Sequence, residues 1–332
     1  MTATRPFRLS FADLDLEGAI REELEAVEQL LRTSVKSEYP FVSETAGHLV
    51  SAGGKRFRPL LTLLAAHLGA ADAPGVISAA VVVELTHLAT LYHDDVMDEA
   101  SMRRGAPSAN TRWNNTIAIL TGDFLFARAS ELLADLGPEC VRIQARTFER
   151  LVQGQIRETV GPAEDDDPLT FYLGVLADKT GSLIATSARF GAMLGGLDEP
   201  LIELMTRFGH RIGIAFQLSD DLLDVASDSR DSGKTPGTDL REGIPTLPGL
   251  LALREARPQD ARLAELLSTP MRDDAEVTEA LELLRQHPAM PLAAVEVRRW
   301  ADDARSVLEP LPDTPVRRAL ESLCDLVVER TG

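Results

Sequence analysis

The sequence predicts an all-α protein, and three observations favour this fold class. Apolar residues recur at helical spacing along almost the whole chain, whereas the alternation of apolar and polar residues that indicates a strand is absent. Apolar side chains make up 44% of the 332 residues, which is enough for a sizeable core. No stretch of low complexity and no clear linker divides the chain. We therefore expect a single helical domain over residues 1–332.

Helical spacing places seven long helices in the first two thirds of the chain. They run from Leu16 to Val35, Phe57 to Gly69, Val76 to about Glu99, Asn110 to Asp135, Pro138 to Thr159, Thr170 to Leu194 and Glu199 to Val225. The first is amphipathic, the second has Pro59 near its first turn, and the third is apolar enough to be mostly buried. From about Thr246 to Glu329, charged faces and proline breaks predict shorter helices.

The net charge of −18, from 34 basic and 52 acidic residues, argues against nucleic acid as a partner. It is compatible with a small anionic substrate if metal ions and a local basic cluster surround that substrate. Cys140 and Cys324 have no metal-ligand spacing and are expected to be small buried hydrophobes. The N-terminus lacks the apolar run of a signal peptide, and Glu84 and His87 interrupt the apolar stretch from Val76 to Tyr92. We expect a cytoplasmic protein without a transmembrane segment, which could contact a membrane surface to release an apolar product.

Two aspartate clusters of identical spacing are the most informative motifs. They are Asp94-Asp95-Val96-Met97-Asp98 and Asp220-Asp221-Leu222-Leu223-Asp224. In each D-D-x-x-D run the first and last carboxylates are four residues apart, so they share a helix face at a spacing of about 6 Å. Each run follows an apolar stretch and lies where its helix should end, at the negative pole of the helix dipole.

Carboxylates in that position require cations. One cluster in an acidic protein would more simply be a solvated helix face, but two copies in the same context favour a metal site. Oxygen ligands suit Mg²⁺, which keeps several waters and usually bridges to phosphate oxygens. We therefore predict that the two clusters converge on a metal-bound diphosphate.

Basic residues occur where a diphosphate needs them. The segment Gly53–Pro59 (G-G-K-R-F-R-P) places three basic residues at a loop-to-helix junction, where glycines let the backbone approach an anion. Arg103 and Arg104 follow the first cluster, and arginine recognises phosphate with two parallel hydrogen bonds. After the second cluster, residues 227–248 contain Lys234 among glycines, which suits a mobile flap over an anion. The alternative for residues 53–59 is an ordinary solvated turn.

Further candidates lie inside predicted helices. His87 is seven residues before Asp94 and shares its helix face, although a lone histidine on an apolar helix is often a satisfied core residue. Lys179, followed by Thr180, lies in an apolar helix, where a lysine needs either an anion or a route to the surface. Gln217 precedes the second cluster by three residues and could face the same cavity.

The motifs that are missing narrow the chemistry. No Ser-His-Asp pattern, P-loop or G-x-G-x-x-G motif is present. The remaining inventory fits a reaction in which a diphosphate leaves an allylic carbon. Mg²⁺ and basic side chains would stabilise the departing charge, and an apolar helical wall would protect the allylic cation from water until a second substrate's double bond attacks it.

These motifs resemble those of the trans-isoprenyl diphosphate synthases, also called polyprenyl synthetases, over nearly the whole chain. The matching segments are Gly53–Pro59, Leu91–Asp98 with Arg103-Arg104-Gly105, Gly122–Leu125, Lys179-Thr180, Phe216–Asp224 and Gly233–Leu240. The resemblance implies an isoprenoid-synthase bundle around a deep central cavity, a homodimer and three Mg²⁺ per active site. It also implies that an allylic diphosphate is condensed with isopentenyl diphosphate in successive head-to-tail (1′-4) additions.

The resemblance assigns roles residue by residue. Asp94, Asp98 and Asp220 would be the main metal ligands, with Asp95, Asp221 and Asp224 supporting them. The allylic diphosphate would be held by Arg103, Lys179, Gln217 and Lys234, with Thr180 also binding substrate, and isopentenyl diphosphate by Lys55, Arg58, His87 and Arg104. Catalysis would depend on Asp94, Asp95, Asp98, Arg103, Lys179, Asp220 and Lys234. Ile244 stands where many relatives have a lysine, so one diphosphate contact is absent or supplied elsewhere.

Product length is predicted from the residues before the first cluster. In the family, the end of the product tunnel is closed by bulky residues that lie about one turn or more before the first aspartates. Here Ala89 and Thr90 are small and Thr86 is only medium-sized, as in long-chain bacterial members. We therefore predict an all-trans product of C30 to C50, with a farnesyl or geranylgeranyl diphosphate synthase as the alternative.

Other classes explain fewer of the motifs. A class I terpene cyclase normally has a different second metal motif and does not need residues 53–59. A non-catalytic partner subunit usually loses aspartates, and all six are present. A plain helical scaffold leaves Lys179 and the glycine-rich segment around Lys234 unexplained.

Overall fold

The computed structural model describes residues 11–226, 237–255, 257–269, 271 and 273–330, and these residues are almost entirely helical. They form sixteen α-helices: α1 Leu14–Ser34, α2 Pro40–Ser51, α3 Phe57–Ala66, α4 Val76–Met97, α5 Ala109–Arg112, α6 Asn115–Asp135, α7 Pro138–Val160, α8 Pro168–Leu176, α9 Ser182–Leu194, α10 Glu199–Ala226, α11 Thr238–Glu242, α12 Leu247–Glu255, α13 Ala261–Leu267, α14 Asp274–Gln286, α15 Ala289–Val307 and α16 Pro315–Glu329. The predicted all-α class is confirmed.

Three short elements interrupt the helices. Two-residue strands β1 (Met102–Arg103) and β2 (Ala106–Pro107) form an antiparallel hairpin in which Met102 pairs with Pro107. A π-helical turn covers Ala177–Gly181, and a 3₁₀ turn covers Pro258–Asp260. The hairpin and the π turn were not predicted, and both carry candidate site residues.

The described residues form two units. The first comprises the described residues up to Phe148 together with Leu183–Gly209 and Leu308–Ser322. The second comprises Glu149–Ser182, His210–Val307 and the described residues from Leu323 onward. The first aspartate cluster lies in the first unit and the second cluster in the second unit.

Helix α4 is the core helix of the first unit and packs against α6, α3 and α1. By length and hydropathy it is the one helix in the described ranges that could cross a membrane, but 67% of its apolar window is buried in the fold. Gly122 on α6 allows the closest approach of the two helices, because a Cβ there would collide with the His93 ring. The burial identifies α4 as a core helix, as the sequence predicted.

Several predicted helix bounds are confirmed and others are wrong. α4, α7 and α10 begin and end within two residues of the predicted positions. The predicted helix 110–135 is two helices, because the chain breaks at Trp113 and the Asn114 side chain then caps α6 by accepting from the Ile117 N–H at 2.9 Å. The predicted helix 170–194 is divided by the π turn.

Helix α2 was not predicted, although Pro40 stands at its first position, where proline is favoured. Cys140 and Cys324 are buried and unbridged, as predicted. Of the predicted flap, residues 227–236 lie outside the described residues. The described remainder is ordered into α11 and α12 around Gly243.

Candidate functional site

The first aspartate cluster is at the C-terminal end of α4. Asp98 ends this helix, and its N–H donates to the Asp94 carbonyl at 2.8 Å. The predicted position at the negative pole of the helix dipole is therefore confirmed. Because four residues separate Asp94 and Asp98, their side chains leave the same face of α4.

Asp95 is fully buried beside Asp94, and it is held from two sides. Its Oδ1 accepts from Arg103 Nε at 2.6 Å, and its carbonyl accepts from Asn110 Nδ2 at 3.0 Å. Its Oδ2 is buried and has no hydrogen-bond partner among the described residues. Burial raises the pKa of this carboxyl, and the adjacent Arg103 opposes that shift. A cation near the cluster would meet a carboxylate oxygen that is otherwise unsatisfied.

The β1–β2 hairpin brings both predicted arginines back toward α4. The chain reverses at Arg104 and Gly105, which have left-handed φ values of 54° and 75°. Arg104 Nη1 donates to the carbonyl of Gly53. A Cβ on Gly54 would lie 2.9 Å from that same Nη1, so only glycine lets the loop approach the guanidinium this closely. Gly54 in the segment G-G-K-R-F-R-P thus has a packing function that the sequence alone did not reveal.

Glu84 on α4 forms ion pairs with two of the basic residues, Arg56 and Arg104. Its carboxylate is 2% exposed and lies 2.7 Å from Arg56 Nη1 and 3.9 Å from Arg104 Nη2. Arg56 also donates to Glu28. Burial alone would lower the pKa of Arg56, but Glu84 and Glu28 outweigh it and the pKa is raised. Arg56 is therefore a structural member of the predicted basic segment.

His87 lies among guanidinium groups. Desolvation holds the pKa of this imidazole well below its usual range, and four positive charges lower it further. These charges belong to Arg58, Arg104, Arg56 and Arg103. These arginines lie in the same unit as His87 and act on it electrostatically, so His87 stays neutral at physiological pH. Lys55, which is exposed, directly precedes Arg56 in the chain.

The neutral state of His87 makes stability depend on pH. Below the unfolded pKa of 6.5 the unfolded chain binds a proton that the folded imidazole does not, so stability is present at neutral pH and falls as the pH drops below that value. Between about pH 7.5 and about pH 5.5 the free energy of unfolding of wild type should fall, and in His87→Gln this fall should be smaller by about 1 kcal/mol. Urea unfolding of both proteins at the two pH values measures this difference. Equal losses in both proteins would contradict the assignment.

The second aspartate cluster occupies the last two turns of α10. Asp221 is buried and accepts hydrogen bonds from the Tyr172 hydroxyl and from Gln217 Nε2, the latter at 3.0 Å. Thr180 Oγ1 donates to Gln217 Oε1 at 3.2 Å, which extends the network. Burial raises the pKa of Asp221 to about 6, against the effect of these hydrogen bonds. Thr180 and Gln217 therefore position this aspartate, a role that the sequence did not assign to them.

The outer aspartates of this cluster have different partners. Arg330 Nη2 forms an ion pair with Asp220 Oδ1, and the Arg330 guanidinium also lies 4.8 Å from the centre of the Phe216 ring. Asp224 Oδ2 accepts from the Asp239 N–H at 3.4 Å, which ties α11 to the end of α10. Neither Arg330 nor Asp239 was predicted to act here.

Lys179 lies on the π turn between α8 and α9. π-helical turns insert one residue into a helix and are frequent at functional sites. The turn packs closely against α7, since a Cβ on Gly154 would lie 2.6 Å from the backbone nitrogen of Lys179. Lys179 Nζ forms an ion pair with Glu158 Oε2 at 2.5 Å. The cost of placing a lysine in this apolar segment is thus offset by an anion on α7.

The structure leaves some predicted residues without a test. Lys234 lies outside the described residues. Thr86 and Ala89 are buried on α4 and Thr90 is partly buried, but their role in product length stays a prediction. The residues that sequence reasoning missed are Glu84, Tyr172, Glu158, Arg330 and Asp239. Of these, only Glu84 had a local signal, as a charge inside an apolar helix.

The donor set fits a hard divalent cation that is completed by substrate. Within the described ranges, no three acidic, histidine or cysteine side chains converge to form a ready metal site. Mg²⁺ needs no such cage, because it is usually held by one or two carboxylates together with waters and substrate phosphates. Asp94 with Asp98, and Asp220 with Asp224, each present two carboxylates four residues apart, which matches the number that such an ion takes from a protein.

Comparisons with known proteins agree with this chemistry. The polyprenyl synthetase family model matches residues 39–284. Over 325 residues the chain is 51% identical to a nonaprenyl diphosphate synthase of Mycobacterium tuberculosis, covering 98% of this chain and 97% of that protein. A geranylgeranyl pyrophosphate synthase structure from Corynebacterium glutamicum, complexed with calcium and isoprenyl diphosphate, has 47% identity and a TM-score of 0.86, covering 98% of this chain and 100% of that one. A polyprenyl synthase structure from Caulobacter crescentus with the same ligands has 34% identity and a TM-score of 0.89, with the same coverage.

Proposed function

Because this chain belongs to the polyprenyl synthetase family, we propose that it adds isopentenyl diphosphate to an allylic diphosphate repeatedly and makes a polyprenyl diphosphate of C30 to C50. The observation that carries this proposal is the pair of aspartate clusters, which end α4 and α10 and are each supported by arginine or hydrogen-bond partners. The 51% identity to a nonaprenyl diphosphate synthase supports the long-chain class.

Isopentenyl diphosphate is assigned to the basic group of the first unit. Arg58, Arg104 and Lys55 supply positive charge for its diphosphate, and the neutral His87 can donate one hydrogen bond without adding charge. Glu84 and Gly53 hold Arg104 in place from the opposite side.

The allylic diphosphate is assigned to Arg103, Lys179, Gln217 and Lys234, together with the metal ions. Arg103 already holds Asp95, and Lys179 already holds Glu158, so each would turn from a carboxylate to the diphosphate or bridge both. When bound, Mg²⁺ stabilises the charge that develops on the departing pyrophosphate. Apolar walls exclude water while the double bond of isopentenyl diphosphate attacks the allylic carbon. A proton then leaves the condensed product, and the released pyrophosphate is proposed to accept it.

We assign Mg²⁺ as the physiological ion, with three ions held by the two clusters. The two similar structures that contain calcium with isoprenyl diphosphate support the use of divalent cations. Asp94, Asp98 and Asp220 are the proposed direct ligands. Asp95 and Asp221, which are buried and hydrogen-bonded, are better placed to hold their neighbours than to leave their partners.

A homodimer is the proposed assembly, with the whole chain acting as one synthetase domain in the cytoplasm. Ile119 and Leu120 on α6 are 42% and 57% exposed, while α4 covers the opposite face of that helix. Two adjacent exposed aliphatic side chains on a helix favour an interface with a second copy. Light scattering should give about twice the chain mass of 36.1 kDa.

The function is tested by pyrophosphate release. Purified protein should release pyrophosphate only when Mg²⁺, farnesyl diphosphate and isopentenyl diphosphate are all present, and chelation should abolish release. Release from the allylic substrate alone would indicate a cyclase. No release under any combination would indicate a non-catalytic subunit.

Product length is tested at Ala89. This residue is fully buried on α4, so Ala89→Phe would fill space that the predicted tunnel needs. We expect the variant to make a product shorter by at least one isoprene unit, as measured by mass spectrometry. Overpacking costs about 1–3 kcal/mol, so the thermal midpoint is measured alongside. An unchanged length distribution in a folded variant would refute the role of Ala89, and a wild-type product of C20 or less would refute the long-chain assignment.

A further inference from the structure

A buried glutamine contacts the helix that carries the predicted tunnel floor. Gln144 on α7 is 8% exposed, and its Nε2 donates to Thr86 Oγ1 on α4 at 2.8 Å. Thr86 itself is fully buried. The sequence did not single out Gln144, because it shows only a polar residue in α7. The structure shows that this residue lies on the buried face of the helix.

The orientation of the Gln144 amide follows from its partner. Thr86 Oγ1 donates its own proton to the Val82 carbonyl at 2.9 Å, so it can only accept from Gln144. The NH₂ group must therefore face Thr86. The amide oxygen then points elsewhere, and it is buried without a hydrogen-bond partner among the described residues.

A neighbouring polar pair in the same unit provides a contrast. Thr147, also on the buried face of α7, lies with its hydroxyl 2.6 Å from that of Thr186 on α9. Thr147 donates to the Ile143 carbonyl at 2.9 Å, so it accepts from Thr186. Both hydroxyl protons are used within the protein. This pair is satisfied, whereas Gln144 is not.

A purely structural role does not account for Gln144. Leaving a buried carbonyl oxygen without a partner is unfavourable, and an apolar side chain of the same length would avoid that cost. Each unsatisfied buried group in a native protein needs an explanation, such as a role at a functional site or a bound water. Thr86 lies eight residues, or about 12 Å of helix, before Asp94 on α4, and it is one of the residues predicted above to set product length.

We propose that Gln144 is a specificity-determining residue that ends prenyl chain growth. Its amide, held by Thr86, forms a polar barrier in the apolar wall. A hydrocarbon chain that grows past this amide would cover its unsatisfied oxygen and any water bound there, which is unfavourable. This inference rests on the proposed function. It differs from a purely steric floor because polarity, not side-chain volume, limits the product.

The experiment therefore changes polarity at nearly constant size. Gln144→Met keeps the side-chain length and removes the amide, and Thr86→Val removes the hydroxyl that orients it. Each variant is incubated with Mg²⁺, farnesyl diphosphate and isopentenyl diphosphate, and products are measured by mass spectrometry. We expect both variants to shift the main product upward by at least one isoprene unit. Thr147→Val, a polar-to-apolar change in the satisfied pair, should leave the distribution unchanged.

The outcomes separate this inference from the proposed function. If wild type incorporates no isopentenyl diphosphate, the proposed function fails. If wild type elongates but Gln144→Met gives the wild-type distribution with a thermal midpoint close to wild type, the polar barrier is refuted. A shift of equal size in Thr147→Val would also refute it, because any loosening of this core would then lengthen the product. If Gln144→Met does not fold, Thr86→Val alone decides.

Discussion

Asp94→Asn is expected to lower turnover by about 10²–10³-fold while the protein stays folded. The amide has the shape of the carboxylate but cannot neutralise a divalent cation, so the departing pyrophosphate loses stabilisation. Asp220→Asn should have an effect of similar size, because the proposal gives both clusters a direct ligand. The measurement is the steady-state rate of pyrophosphate release across a Mg²⁺ titration.

A matched control for Asp94 is Asp135→Asn. Asp135 is the last residue of α6 and is exposed, so the same loss of charge at a helix end should leave turnover unchanged. Higher Mg²⁺ should restore part of the activity of the Asp94 variant if the defect is weakened metal binding. Turnover within about threefold of wild type for Asp94→Asn would show that this cluster does not hold the catalytic ions.

Glu84→Gln is expected to destabilise the fold by about 3 kcal/mol, since it leaves the buried guanidinium of Arg56 with Glu28 as its remaining carboxylate and removes the carboxylate that faces the partly buried Arg104. The affected groups are those of Arg56, 2.7 Å from Glu84, and Arg104, 3.9 Å from it. Because Arg104 is also proposed to bind isopentenyl diphosphate, the KM for that substrate should rise more than kcat falls. Denaturant unfolding and initial rates measure the two effects.

The control for Glu84 makes the same substitution at a surface ion pair. Glu139 pairs with Arg142 three residues later on α7, and both side chains are more than half exposed. Glu139→Gln should change stability by less than about 0.5 kcal/mol. If Glu84→Gln costs no more than this, the buried pair does not support the basic segment.

The helices that proved easiest to predict are long and strongly periodic. α4, α7 and α10 follow their predicted bounds closely because hydrophobic spacing over many turns is a local signal. The hairpin at residues 102–107 escaped prediction because strands of two residues show no alternation. The π turn at Ala177–Gly181 escaped it because an extra residue in a helix does not change its composition.

The candidate site was predictable in its members and only partly in their roles. The spacing identified the two aspartate runs, since carboxylates four residues apart share a face on any helix. The family resemblance then implied Asp94, Asp98 and Asp220 as main metal ligands, which stays a prediction. The contact of Gln217 with substrate stays a prediction, and the structure adds a hydrogen bond from Gln217 to Asp221 that the sequence did not indicate. Lys179 was predicted to need either an anion or a route to the surface, and only the structure identifies Glu158 as its anion.

The sequence alone determined the all-α class, the two D-D-x-x-D runs at helix ends and the basic segments. Each of these depends only on residues within a few helical turns of one another. The partners of these carboxylates were identified only in the folded chain. Arg330 and Asp220 are 110 residues apart in sequence, and Tyr172 and Asp221 are 49 apart. Contacts at such separations depend on how helices pack, and no periodicity in either segment encodes which side chain its neighbour will present.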